Sequence, residues 1–353
     1  MMKIIIFTID YEYIALCPAN MQRINLGYAC DNMTLKEVKP ERDSLKVARS
    51  CTRATFNKYG KARAIELAKQ NLEATIKIID WNQKYDIKFY RMSSRLFPRL
   101  TDPEFIAPGQ QFVYDIGQFS EYFDRIGELA ARYQQRLTFH PDHFVQIGTA
   151  EPHKFRNSVN DLTMHAEILD RCKLSLNSVM VVHVGAYKDK EQVMERWVCQ
   201  FELLPAAVKR RIIVENCERG YCYRDILKIC QTVHRPFVFD THHHNCYSQL
   251  VEPLPDPSTF MPDIIKTWTD LGLKPKFHVS EQRPEARVGA HSDYVEKIPG
   301  YLFQAASQLP SGIDVMIEAK QKERAVFHLR HKYPIFVIES LLCLKNPTLE
   351  LGF

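Results

Sequence analysis

The sequence predicts an α/β chain folded as a single (β/α)8 TIM barrel, and three observations lead there. Eight short β-branched or apolar runs alternate with longer stretches of helical spacing. No Gly/Ser-rich linker, charge block or low-complexity tract divides residues 21–353, so they read as one domain. The side chains suited to chemistry stand at the carboxyl ends of the runs, where barrel enzymes gather their βα-loops. The alternative is an open doubly wound sheet, which usually carries a Gly-rich phosphate loop after its first strand. Here the first run ends instead in Tyr28-Ala29-Cys30-Asp31-Asn32.

In order, the predicted strands are Ile24–Cys30, Ile87–Ser93, Arg136–His140, Val179–Gly185, Arg211–Asn216, Pro236–Asp240, Lys274–Ser280 and Asp314–Ala319. Helical spacing occupies Lys61–Asn82, Ser120–Tyr133, Asn157–Lys173, Lys188–Phe201, Tyr223–Val233, Phe260–Leu271 and Val295–Gln308. A last helical run, Lys322–Leu344, is interrupted by Pro334. Residues 1–20 form a small appendage or precede an alternative start at Met21, and stay outside the fold argument.

The 353 residues are 45% hydrophobic and 25% charged, which is enough apolar material for a sizeable core. A net charge of +5 permits a polyanionic partner without demanding one. The ten cysteines form no C-x-x-C pair and sit in apolar segments, so they read as reduced thiols of an intracellular protein. The apolar start Lys3–Ile14 is interrupted by Asp10 and Glu12, is too short to span a membrane and is followed by no cleavage site.

The strand ends carry the chemistry. The third ends in His140-Pro141-Asp142-His143, the fourth in His183, the fifth in Glu215-Asn216 and the sixth in Asp240-Thr241-His242-His243-His244. The seventh ends in Lys276-Phe277-His278, a following loop carries His291, and the eighth ends in Glu318-Ala319-Lys320. Imidazoles with carboxylates are ligands for divalent Mn, Zn, Fe or Co. The set exceeds one tetrahedral site and suggests two or three ions bridged by carboxylates, an arrangement that clamps and polarises a phosphate.

Each piece also has a bland reading. His153, His165, His234, His328 and His331 read as structural histidines. The triple histidine could be a solvated loop, and adjacent side chains diverge, so not all three can face one centre. Glu318 could simply pair with Lys320. The bland reading must hold independently at six strand ends on one face, which weighs against it.

At these residues the chain resembles the UV damage endonuclease family. The matching stretches are LGYACDN (26–32), NLEATIKIIDWNQKYDIKFYRMSS (71–94), FHPDHFVQIGT (139–149), MVVHVGAYKDKE (180–191), IIVENCERGY (212–221), FVFDTHHHNC (237–246), KPKFHVSEQ (274–282), AHSDYV (290–295) and VMIEAKQKE (315–323). Endonuclease IV-type abasic-site nucleases share the barrel and a similar metal cluster, and are the runner-up. A sugar isomerase-like barrel is the alternative from another enzyme class.

The resemblance implies incision of damaged duplex DNA immediately 5′ to UV photoproducts, leaving a 3′-hydroxyl and a 5′-phosphate. It implies two to three divalent ions, Mn2+ favoured over Mg2+, Co2+ or Zn2+, on His140, His183, Glu215, Asp240, His243, His278, His291 and Glu318. Glu215, Lys276 and His278 become the catalytic candidates, and Lys276 matches a lysine that can be carboxylated in the family. Lesion readout falls on Tyr28 and Asn32 and on the pair His143 and Phe144, where the family usually has Gln and an aromatic residue. Asp142 stands where the family commonly has Gly, so the backbone there is less free. Arg91, Ser93, Ser94 and Lys188 are candidate phosphate contacts, with Arg91 equally suited to satisfying a neighbouring carboxylate. No membrane or obligate protein partner is implied, and a monomer is expected.

Overall fold

Strands β1 (Ile24–Ala29), β2 (Phe89–Arg91), β3 (Arg136–Thr138), β4 (Met180–His183), β5 (Ile212–Glu215), β6 (Phe237–Asp240), β7 (Lys276–Val279) and β8 (Ile313–Ile317) fall within the predicted runs, save that β8 begins one residue earlier. The computed structural model describes residues 23–38, 40, 44–186 and 188–333. The appendage 1–20 and the stretch after Tyr333 lie outside them. All strand pairs are parallel, in the order β3-β2-β1-β8-β7-β6-β5-β4. A bridge from Phe139 to Met180 closes the barrel, with the Phe139 N–H donating to Val179 at 3.0 Å and the Val181 N–H donating to Phe139 at 3.0 Å.

Because side chains alternate across a strand, each run serves two cores. Ile212 and Val214, Phe237 and Phe239, and Phe277 and Val279 face the surrounding helices. Val179, Val181, Ile213 and Val238 pack together in a separate cluster inside the barrel. The helices answer in kind: on Ser120–Tyr133, the buried Phe123, Ile126, Leu129 and Ala130 follow helical spacing. Burial of each large apolar side chain is worth about 1.5–3 kcal/mol. The first long helix begins earlier than its spacing predicts, at Arg53, because Gly60 (φ 66°) breaks it just before Lys61. Thr241–Leu250, which follows β6 without a loop, is a helix that the periodicity did not announce.

Inside the barrel the layers differ in character. Phe89 fills the space beside Gly27, where an added Cβ would lie 2.3 Å from the Phe89 carbonyl oxygen. At the amino end Asp314 accepts from Arg136 at 2.8 Å and Asn25 at 2.9 Å, with Lys274 at 2.6 Å. Burial pushes the Asp314 carboxyl up, but Arg136 and Lys274 outweigh it and hold it below its ordinary value. Asp314 therefore contributes stability that is full above its unfolded pKa of about 3.9 and is lost as pH falls through the lower folded value. Asp314→Asn leaves the half-buried Arg136 and Lys274 short of a partner and is expected to cost about 2–4 kcal/mol in urea unfolding at pH 7. A loss below about 1 kcal/mol would show that the pair is not holding the barrel base.

Candidate metal centre

Strand register assembles the site at the carboxyl end. β4 and β5 set His183 beside Glu215, and β6 and β7 set Asp240 beside His278. Glu215 is buried at the centre. One oxygen lies 2.9 Å from His140 Nε2 and 3.4 Å from His183 Nε2, and the other lies 2.6 Å from His278 Nδ1 and 3.8 Å from His243 Nδ1. Glu318 is 3.3 Å from the same His278 nitrogen and pairs with the Arg91 guanidinium. Three groups have donor atoms within 4.8 Å of one another: His140, His183 and Glu215; Glu215, Asp240 and His243; and Asp240, His278 and Glu318. Neighbouring groups share Glu215 or Asp240, which is the carboxylate-bridged chain expected of clustered ions.

The donors fit such ions. Burial lowers the His140 pKa, and burial lowers that of His183 to about 3, so both rings are neutral and have a free lone pair. Burial opposes protonation of His243 too, but Asp240 and Glu215 outweigh it and raise that ring to about 9, leaving a proton where a cation can stand. Burial also opposes the Glu215 charge, yet His278, with the hydrogen bonds from His140 and His278, holds the carboxyl well below its ordinary value. Asp240 Oδ2, His183 Nδ1 and His278 Nε2 are buried without a hydrogen-bond partner. An unpaired buried carboxylate oxygen is costly, and a cation beside Asp240 Oδ2 would relieve that cost.

The triple histidine resolves by helix geometry. Asp240 is the N-cap of Thr241–Leu250, accepting from the His243 N–H at 2.7 Å through Oδ1 and leaving Oδ2 to the cluster. His243 turns to the centre, with Nδ1 2.9 Å from the Asn216 carbonyl. His244 packs on Phe239 and Phe260, while His242 lies against Cys246 and edge-on to His291. His291 itself stands at the rim, 4.0 Å from Glu318, and is outside all three close groups. The ion pair of Glu318 is with Arg91, so the pairing with Lys320 is not formed. Lys276, two residues before His278 on the same strand face, is fully buried with no hydrogen-bond partner on Nζ, which lies 5.7 Å from the centre of the Phe89 ring, and burial, then Arg91 and Arg136, hold its amine well below the usual lysine range.

The expected DNA-facing residues divide. A groove of about 730 Å³ above the cluster is lined by Arg91, Ser93, Ser94 and His143. His143 stacks on His183 with centroids 5.2 Å apart. Ser94 donates to the His140 carbonyl at 2.6 Å, so it braces a ligand loop. Phe144 is 55% exposed beside a second cavity, and Lys188 is exposed away from the groove lining. Tyr28 and Asn32 are 0% and 2% exposed and line neither cavity. The Tyr28 hydroxyl donates to Asn82 at 2.7 Å and accepts from Asn32 at 3.0 Å. Asn32 caps the one-turn helix Met33–Lys36, accepting from the Leu35 N–H at 2.9 Å. Asn32→Ala is therefore expected to lower stability by about 1–2 kcal/mol in thermal melts, where an exposed contact residue would cost almost nothing.

Residues that the sequence reading passed over also line the groove, among them Arg95, Glu218 and Arg219. Their signal was present, in ENCERGY and after the paired serines, but nothing local distinguishes a groove arginine from a solvated one. Glu323 was missed too: fully buried, it accepts from the Met33 and Thr34 N–H groups at 2.8 and 2.7 Å and ties the last βα-turn to the first.

A parallel barrel with three linked His/carboxylate groups in an open groove has the architecture of (β/α)8 enzymes, with side chains that could hold divalent ions at the strand ends. The model of the UV-endonuclease UvdE family matches residues 24–342, and the chain belongs to that family. The UV DNA damage endonuclease of Bacillus cereus strain G9842 is 35% identical over 315 residues, covering 87% of this chain and 93% of that protein. The crystal structure of SacUVDE superposes with a TM-score of 0.72 at 21% identity, covering 88% of this chain and 99% of that one. The 3-keto-D-glucoside 4-epimerase YcjR of E. coli superposes at 0.50 with 9% identity over 87% of this chain and 99% of its own, a likeness of fold alone.

Proposed function

We propose that this protein cuts duplex DNA immediately 5′ to UV photoproducts, cyclobutane dimers and 6-4 products, leaving a 3′-hydroxyl and a 5′-phosphate. The observation that carries the reading is the chain of three ligand groups sharing Glu215 and Asp240 at the floor of an open groove. Two to three divalent ions held there, with Mn2+ favoured, would polarise the phosphodiester and activate a water for in-line displacement. The protein's part is to hold neutral imidazoles and ionised carboxylates in register and to keep Arg91 beside Glu318 at the edge of the groove. The Lys276 amine, buried without a hydrogen-bond partner and held below the usual lysine range, suits reaction with CO2, and its carboxylation would add an anion beside the ligands. His291 serves at the rim as an outer ligand, Lys188 is a phosphate contact outside the groove lining, and Phe144 wedges into the stack. Tyr28 and Asn32 act by positioning the first βα-turn.

Burial of Tyr28 and Asn32 favours one second reading, incision at abasic sites, because it withdraws two of the side chains expected to read a photoproduct. The test is incision with Mn2+ of UV-irradiated, abasic and undamaged duplexes side by side. Cuts just 5′ of photoproducts, lost with chelator, support the first reading. Cutting only at the abasic site moves the protein to the second, and no cutting of any duplex refutes both.

A further inference from the structure

We infer that His143 is a further ligand for the ion between His140, His183 and Glu215, and that it makes this end of the cluster a nitrogen-rich site selective for a later first-row ion such as Zn2+ over Mn2+. The inference rests on the proposed function only in taking the three ligand groups as ion sites. Those groups differ in composition. The second and third each hold two carboxylates and one imidazole, whereas the first holds two imidazoles and one carboxylate. Carboxylate oxygens suit Mn2+, and imidazoles suit Zn2+ and its neighbours in the first row.

The loop after β3 brings a third imidazole to the nitrogen-rich end. The Val145 N–H donates to the Asp142 carbonyl at 3.0 Å, so His143 and Phe144 occupy the central positions of a tight turn. Ser94 braces the start of that loop through the His140 carbonyl at 2.6 Å, and Arg95 pairs with Asp142 at 3.0 Å. The turn sets the His143 ring against His183, with 5.2 Å between centroids and 27° between planes. His140 and His183, the two imidazoles of the first group, stand at the same spacing, 5.1 Å between centroids. The His143 ring lines the groove, is exposed, and makes no hydrogen bond or ion pair among the described residues. It is outside the close group as it stands, so ligation requires a turn about its own two side-chain bonds, with the backbone unmoved.

With His143 the first site has three imidazoles and Glu215, a donor set suited to Zn2+. Zn2+ also accepts a fifth ligand, which leaves a place for a phosphate oxygen. Mn2+ supplied in excess still fills these donors, more weakly.

The test is equilibrium ion binding to the metal-free full-length chain, without DNA. Co2+ is the probe, because tetrahedral Co2+ absorbs visible light far more strongly than octahedral Co2+. Zn2+ and Mn2+ are then measured by competition. The unsubstituted protein is expected to take up one equivalent of strongly absorbing Co2+. His143→Gln should remove that absorption, weaken Zn2+ binding by about tenfold or more, and change Mn2+ binding by less than about twofold. His143→Phe keeps a ring against His183 but has no donor nitrogen, and must behave like the Gln variant. The position is exposed, and equal melting temperatures of the metal-free proteins check that both variants fold. Zn2+ affinity retained in either variant, or equal loss for Zn2+ and Mn2+, overturns the inference. Co2+ binding without the tetrahedral absorption overturns it as well. A chain that binds no ion at all sinks the metal reading of the proposed function too, an outcome distinct from ion binding that is indifferent to His143.

Discussion

Glu215→Gln is expected to reduce incision by about 10³-fold or more while leaving the barrel folded. Glu215 belongs to two of the three ligand groups and is the carboxylate against which His140, His183 and His278 are arranged. The amide is nearly isosteric but neutral, and one of its two ends is a donor. It therefore faces imidazole nitrogens and cations with the wrong polarity on one side and half the attraction on the other. Metal content measured on the purified variant should fall along with activity. Binding of duplex should persist, because the groove arginines and Phe144 are untouched. Near-full cutting by this variant would sink the assignment of Glu215, and loss of metal with cutting retained would sink the metal reading.

Chelation is expected to abolish incision and to lower the melting temperature by about 5–15 °C, both restored by Mn2+. The stability arm follows from the same atoms as the activity arm. Asp240 Oδ2 is buried without a hydrogen-bond partner inside two of the three ligand groups, so ions that bind the folded state but not the unfolded chain would stabilise by mass action. At free metal about 1,000 times its dissociation constant, one site contributes about 4 kcal/mol. Differential scanning fluorimetry across a Mn2+ titration measures this without any substrate. A flat melting temperature across that titration would contradict a preformed metal centre. Asp240 adds a distinguishing mark, since it also caps Thr241–Leu250: Asp240→Ala should lower the melting temperature of the chelated protein as well.

Much of the site was legible because a parallel barrel converts one-dimensional order into position. Once eight strands alternate with helices, every residue at a strand's carboxyl end falls on one rim. His140, His183, Glu215, Asp240, His243, His278 and Glu318 are all found there, as expected from where the runs stop. The helix Thr241–Leu250 was not legible, since its ten residues show no strong apolar period: it buries Thr241, His242 and His244 where an apolar face would stand, and turns His243 to the site. Gly60 hid the first turns of another helix by breaking its phase.

What the sequence by itself determined is therefore the number and order of the strands, the family, and which histidines and carboxylates stand at the strand ends, because these depend on local periodicity, residue type and spacing. Only the tertiary structure decided the roles that depend on depth and partner. Tyr28 and Asn32 lie at a strand end like the ligands, yet their hydroxyl and amide are taken up by Asn82 and Leu35 under the first turn. Arg91 had two equally good uses until β2 and β8 brought it to Glu318, 227 residues away in the chain. Glu323 became a lock between the first and last turns for the same reason. Spacing fixes which face of a strand a side chain takes, but the neighbours on that face come from other strands, and only closure of the barrel selects them.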